Sequence, residues 1–125
     1  MAQELARAER FSELKLALVD AICALSEHER DLESRPDKTP GDRADISAFF
    51  LLRCRLNDAI LTLHAVEAGW RSGDAGSVGR IGAALAEIRA IAPAIQQRGS
   101  AQAACRRMID LIEALPVRPG SGGKR

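Results

Sequence analysis

At 125 residues and 13.4 kDa, with 46% apolar side chains, the chain is a single domain able to bury a core without a disulfide or metal staple, and too apolar to be a disordered segment. Aromatic residues make up 3% (Phe11, Phe49, Phe50 and Trp70), and four valines stand against 22 alanines, 14 leucines and nine isoleucines, which argues against strands and for helices packed on helices. The formal net charge of +1 argues against a strong polyanion binder, but it is unevenly spread: residues 1–45 carry eleven acids and seven bases, residues 46–125 eleven bases and six acids.

From about Gln3 to Ser34 the sequence has helical period. Phe11, Leu14, Leu18, Ala21, Leu25, His28 and Leu32 alternate steps of three and four, with Leu5, Ile22 and Val19 widening the stripe. Arg35-Pro36-Asp37-Lys38-Thr39-Pro40-Gly41 ends it, because proline cannot continue a helix. Asp42 is the expected cap of a second helix reaching about Trp70, with Asp45 in its first turn. Its main stripe is Ile46, Phe49, Leu56, Ile60, Leu63 and Trp70, interrupted by Arg53 and Glu67. Phe50, Leu52, Leu61 and Val66 broaden the apolar surface, as in a helix covered on more than one side. Two long helices joined by a short Pro/Gly loop predict an antiparallel hairpin.

Arg71-Ser72-Gly73-Asp74-Ala75-Gly76 is the next turn, with Ser77 or Asp74 as cap. Val78, Ile81, Leu85, Ile88, Ala92 and Ile95 give a third helix that Pro93 should kink or split. Gly99 then reads as a helix-ending residue and Ser100 as the next cap. The fourth helix, about Ala101 to Leu115, carries Ala104, Cys105, Met108, Leu111 and Ile112, and Pro116 stops it. The fold expected is an all-α, up-down four-helix bundle, with two long N-terminal helices and two shorter C-terminal ones. It forms one domain over 1–116, followed by a flexible basic tail over 117–125. The mismatch in helix length leaves the ends of the long hairpin uncovered, and uncovered apolar surface invites a second copy or a partner.

Chemistry-bearing residues are few. Cys23, Cys54 and Cys105 lie far apart without metal-ligand spacing and read as small hydrophobes of helical stretches. No paired ExxE or ExxH arrangement suggests metals, and no cofactor motif or small-molecule substrate is evident. Glu27, Glu29, Asp31 and Glu33 read as a solvated helix end, and His28 beside them as a helix-end or interface contact. Gly76-Ser77-Val78-Gly79-Arg80-Ile81-Gly82 has the glycine spacing of an anion-binding loop, but no strand precedes it and the phosphate-loop lysine is missing. Close helix packing at Gly79 and Gly82 is the expectation.

A histidine part-way along a helix of a small four-helix bundle resembles the histidine phosphotransfer domains in size and helix count. The resemblance implies an exposed imidazole at His64 that carries a phosphoryl group. Those domains have a lysine near the histidine on the same helix, whereas here the run His64-Ala65-Val66-Glu67 places an acid there, which repels a phosphoryl group. A packed or hydrogen-bonded His64 is the expectation. The Arg-then-His spacing of small helical nucleases is absent, since Arg53 and Arg55 precede His64 by eleven and nine positions.

The uneven charge predicts ion pairs between the halves, copies stacked head to tail, or a basic face for an anion. Fifteen of the eighteen bases are arginines, a bias that favours bidentate contacts. Arg71, Arg80, Arg89 and Arg98 recur every nine residues, so at about 100° per residue successive ones face opposite sides.

The sequence therefore leads to a non-enzymatic helical adaptor or assembly subunit acting through protein–protein contacts, homo-oligomeric, with Phe50, Leu61 and Trp70 as partner-binding residues. The alternative is a small subunit of a nucleoprotein complex meeting RNA or DNA through Arg80, Arg98, Arg106, Arg107, Arg118, Lys124 and Arg125. Charge throughout the first residues and the absence of a long apolar run predict a cytoplasmic protein without a membrane span.

Overall fold

Apolar side chains recurring every third or fourth residue coil into four α-helices in the computed structural model. It describes residues 2–69 and 75–115, with side chains described from 8 to 69 and from 79 to 115. The helices are α1 (Ala2–Glu33), α2 (Pro40–Gly69), α3 (Ala75–Ile91) and α4 (Arg98–Glu113), with a 3₁₀ helix over Ala92–Gln96 between the last two. No strand occurs among the described residues, and the fold is all-α. At about 1.5 Å per residue α1 is roughly 48 Å long and α2 roughly 45 Å. Trp70, the turn 71–74, Pro116 and the tail over 117–125 lie outside the described residues.

The predicted inner stripe of α1 forms one wall of the core. Phe11, Leu14, Leu18, Leu25 and Leu32 are fully buried, and His28 is half-buried among them. Facing it are Phe49, Leu52, Leu56, Ala59, Leu63 and Val66 of α2. Ile81, Leu85 and Ile88 of α3, then Ala101, Cys105, Met108, Ile109 and Ile112 of α4, close the remaining sides. Fully burying one such Leu, Ile or Phe contributes roughly 1.5–3 kcal/mol.

The charges interrupting the α2 stripe tie the hairpin together. Arg53 grips Glu29 of α1 through two hydrogen bonds, Nε to Oε2 and Nη2 to Oε1, the latter 3.1 Å long. Glu67 accepts from Lys15 Nζ at 2.7 Å. As the α1 partner moves from 15 to 29, the α2 partner moves back from 67 to 53, so the two helices run in opposite directions. Between α2 and α4 the order is the same in both: Gln102 Nε2 donates to Asp45 at 3.2 Å, and Arg55 meets Glu113 at 3.8 Å.

Several local expectations are corrected. The cap of α2 is Thr39, not Asp42: Thr39 Oγ1 accepts from the Asp42 N–H at 3.0 Å, and the Asp42 carboxylate accepts from the Thr39 N–H at 3.1 Å. This reciprocal pair is a capping box, which satisfies two donors at once. Asp42 is buried and also accepts from Arg35 Nη1 at 2.9 Å. Ser77 lies inside α3, which begins at Ala75, while Asp74 is outside the described residues. Pro93 splits rather than kinks: α3 stops at Ile91 and the chain tightens into the 3₁₀ helix. Gly99 and Ser100 sit within the first turn of α4, whose cap is the extended Gln97. Ser100 Oγ donates back to the Ala94 carbonyl at 2.6 Å, securing the 3₁₀ helix instead.

Candidate functional site on the outward face of α2

A helix of 30 residues with its core along one stripe necessarily presents an opposite stripe. On α2 that stripe runs Ser47, Phe50, Cys54, Asn57, Leu61, His64 and Ala68, alternating steps of three and four, and every one of these residues is exposed. Phe50 is 50% exposed and Leu61 65%, with Leu51 beside them at 60%. Such exposure of large apolar groups along one line costs hydration free energy unless something covers them. Arg53 braces Phe50 from the side, its guanidinium carbon 5.3 Å from the ring centroid. The Glu29 hydrogen bonds, and secondarily its charge, hold the Arg53 pKa above its usual value, so the brace stays cationic.

Phe50 and Leu61, singled out from the sequence, thus share this face, while Trp70 lies outside the described residues. The sequence reading did not find Cys54 and Asn57 on the same face or Leu51 exposed at its flank, nor Leu16 and Val19 on the outward face of α1, 61% and 42% exposed. Val19, expected to widen the inner stripe, points away from it. These groups sit mid-helix, so among the described residues the exposed large apolar side chains lie along the helix backs.

The other candidates are scattered. Arg80, Arg98 and Arg106 are exposed, and Arg107 pairs with Glu87 at 2.7 Å, while Arg106 donates to Gln102. Arg80 lies in the second turn of α3 and Arg98 is the first residue of α4, and no described contact joins them. Arg118, Lys124 and Arg125 lie outside the described residues. Pairing between the two halves is real but partial: Glu29–Arg53 and Glu13–Arg89 join an acid of the first half to a base of the second, and Lys15–Glu67 runs the opposite way.

His64 is exposed rather than packed, and the acid expected to oppose a phosphoryl group, Glu67, is engaged with Lys15. His28 is a structural tie: its Nε2–H donates to the Ile95 carbonyl at 2.7 Å and its ring lies 5.5 Å from that of Phe49. Glu29 leaves the solvated cluster foreseen for it, since its partner Arg53 draws it inward. Gly82 admits the Arg10 side chain, whose Nε lies 3.3 Å from where a Cβ would stand, while Gly79 faces open space. The small residues therefore accommodate a side chain, not a neighbouring helix backbone.

Cys23 and Cys54 are exposed, against the expectation of buried small hydrophobes, and only Cys105 is buried. Burial pushes the Cys105 thiol up to about 11, which makes it unreactive at neutral pH. Among the described residues no group of three or more His, Cys, Asp or Glu could hold a metal ion, and no helix is long and apolar enough to cross a membrane. An open groove of about 440 Å³ runs between α1 and α3, lined by Leu16, Leu85, Pro93 and Met108 among others. The Glu13–Arg89 ion pair, 2.8 Å, bridges it.

Compared with protein-family models, curated proteins and solved structures, the chain matches none.

Proposed function

We propose that this chain is a non-enzymatic assembly subunit that associates with other copies of itself through the outward face of α2. The observation that carries the reading is the pair Phe50 and Leu61 on one exposed line, with Leu51 at its flank, each at least half exposed on a helix whose other side is packed. Exposed aromatic and aliphatic anchors with small or polar residues between them are the composition of a contact surface.

The test is the native mass of the full chain measured by light scattering across a dilution series, with and without Leu61→Asp. The expectation is an oligomer that the substitution dissociates while helical content is kept. A wild-type chain that stays monomeric up to high concentration would remove the reading. Salt-sensitive binding of a generic oligonucleotide by that monomer would favour contact through Arg80, Arg98 and Arg106 instead.

A further inference from the structure

We infer that the groove between α1 and α3 docks a basic amphipathic helix of a partner protein, on a surface separate from the α2 face. The cavity of about 440 Å³ beside Leu16, Pro93 and Met108 continues past the Glu13–Arg89 pair into a second of about 550 Å³. Glu13, Leu85 and Arg89 line both, so the two form one trough. It borders α1 from Glu9 to Ala21, roughly 18 Å or three helical turns. Leu85, Ile95 and Met108 are its buried floor, and Leu16 stands at its lip, 61% exposed. Ala17 and Ala21 are small enough to leave room above that floor. No sheet edge occurs among the described residues. An extended peptide would therefore press unpaired backbone groups onto apolar side chains, whereas a helix satisfies its own.

The α1 wall sets the sign of the partner's charge. Glu9, Glu13, Asp20, Glu27 and Asp31 are all exposed. They fall within about 40° of one another around the helix, forming a ridge roughly 33 Å long beside the trough. Arg89 takes up the charge of Glu13, and the other four make no described ion pair. Arg10 and Arg30 sit about 80° to either side of the centre of the ridge, and Arg10 lies against Gly82. The opposite wall, with Gly82, Ala86, Arg89, Pro93 and Gln96, carries no acid. A helix in the trough thus meets apolar groups beneath it and negative charge along one edge. Large aliphatic side chains inward, with Lys or Arg along the edge toward α1, complement both. The outward stripe of α2, from Ser47 to Ala68, contains no acid and does not offer this match.

Two synthetic helical peptides of about 14 residues test the inference on the full chain, one of Leu and Lys and one of Leu and Glu with the same apolar face. The chain has two methionines, and Met108 is fully buried at the trough floor. Its isotope-labelled methyl resonance, assigned through Met108→Leu, reports occupancy. The Leu/Lys peptide is expected to shift that resonance and the Leu/Glu peptide to leave it in place. Asp20→Lys combined with Glu27→Lys should weaken the Leu/Lys peptide by roughly tenfold, and Asp58→Lys on α2 by less than about twofold. Ala17→Trp should fill the trough and block binding, while Leu61→Asp should leave it unchanged.

Failure of the Leu/Lys peptide to bind overturns the inference, as does binding that leaves Met108 unmoved. Equal binding of the Leu/Glu peptide, or an Asp58→Lys effect as large as that of the Asp20 and Glu27 pair, also overturns it, because charge along the α1 ridge then selects nothing. If Ala17→Trp does not fold, the two surface reversals and the Met108 resonance decide. None of these outcomes depends on whether the chain self-associates through α2.

Discussion

Phe49 and Phe50 are neighbours of identical chemistry, about 100° apart around α2, yet the first is fully buried against α1 while the second is half in water. The same contrast extends along the whole helix. Inward lie Leu52, Leu56, Leu63 and Val66, all buried, and outward lie Leu51 and Leu61, mostly exposed. Hydrophobicity alone does not sort these residues; rotational phase does. A helix that carries apolar groups on both sides of its axis has one side satisfied by its own chain and another facing water.

Substitution at the two phenylalanines is the largest way to sharpen that contrast. Phe49→Ala is expected to cost about 3–5 kcal/mol of folding stability, because it empties a packed site. Phe50→Ala should cost less than about 1 kcal/mol in the monomer, with its effect falling on association instead. Denaturant midpoints on both variants check this, and equal losses would erase the distinction between the faces.

Arg53 stands on the border, gripping Glu29 inward and bracing the Phe50 ring outward. Arg53→Ala strands a carboxylate whose side chain is 14% exposed, for an expected loss of about 2 kcal/mol. Arg53→Lys, a point charge without the fork, should recover only part of it.

The phase of α2 is set where the helix starts, so its cap comes next. Thr39→Ala should cost about 1 kcal/mol. The hydrogen bond from the Thr39 N–H, followed by the Arg35 charge, outweighs desolvation and holds the Asp42 carboxyl below its ordinary value of 3.8. The folded state therefore favours the carboxylate. Its contribution is intact above about pH 4 and is lost as acid takes the pH down through the lowered folded value. Acid unfolding of Asp42→Asn should show a shallower loss over that range than the parent does.

The smallest effect marks the far side of the molecule. The Arg107–Glu87 pair is about half exposed at both ends, and Arg107→Ala should change stability by no more than about 0.5 kcal/mol.

Much of this was legible from residue order because the inner stripes obey one period. Phe11 through Leu32 and Ile81 through Ile95 could be assigned to the core from spacing, and Arg53 and Glu67 stood out as interruptions. Their partners could not be read, since which charge lies across a helix boundary depends on register between helices and no local pattern sets that. Asp is itself a good cap, so sequence alone favours Asp42 over the true cap three residues earlier, although the Thr39-x-x-Asp42 spacing is that of a capping box. The outward seam from Ser47 to Ala68 repeats as regularly as the inner one. It is harder to see in the sequence because only Phe50 and Leu61 in it are large, the other members being small or polar.

The hydrogen bond from His28 to the Ile95 carbonyl has a further consequence for how the chain is made. It joins residues 67 apart, and α1 packs against every other helix. On the ribosome α1 emerges first but finds its last neighbours only after α4 has left the exit tunnel. Through most of translation its Phe11-to-Leu32 stripe stays only partly sheathed, a substrate for chaperones that hold oily segments. Slowing synthesis between α2 and α3 should lengthen that window and lower the yield of native protein.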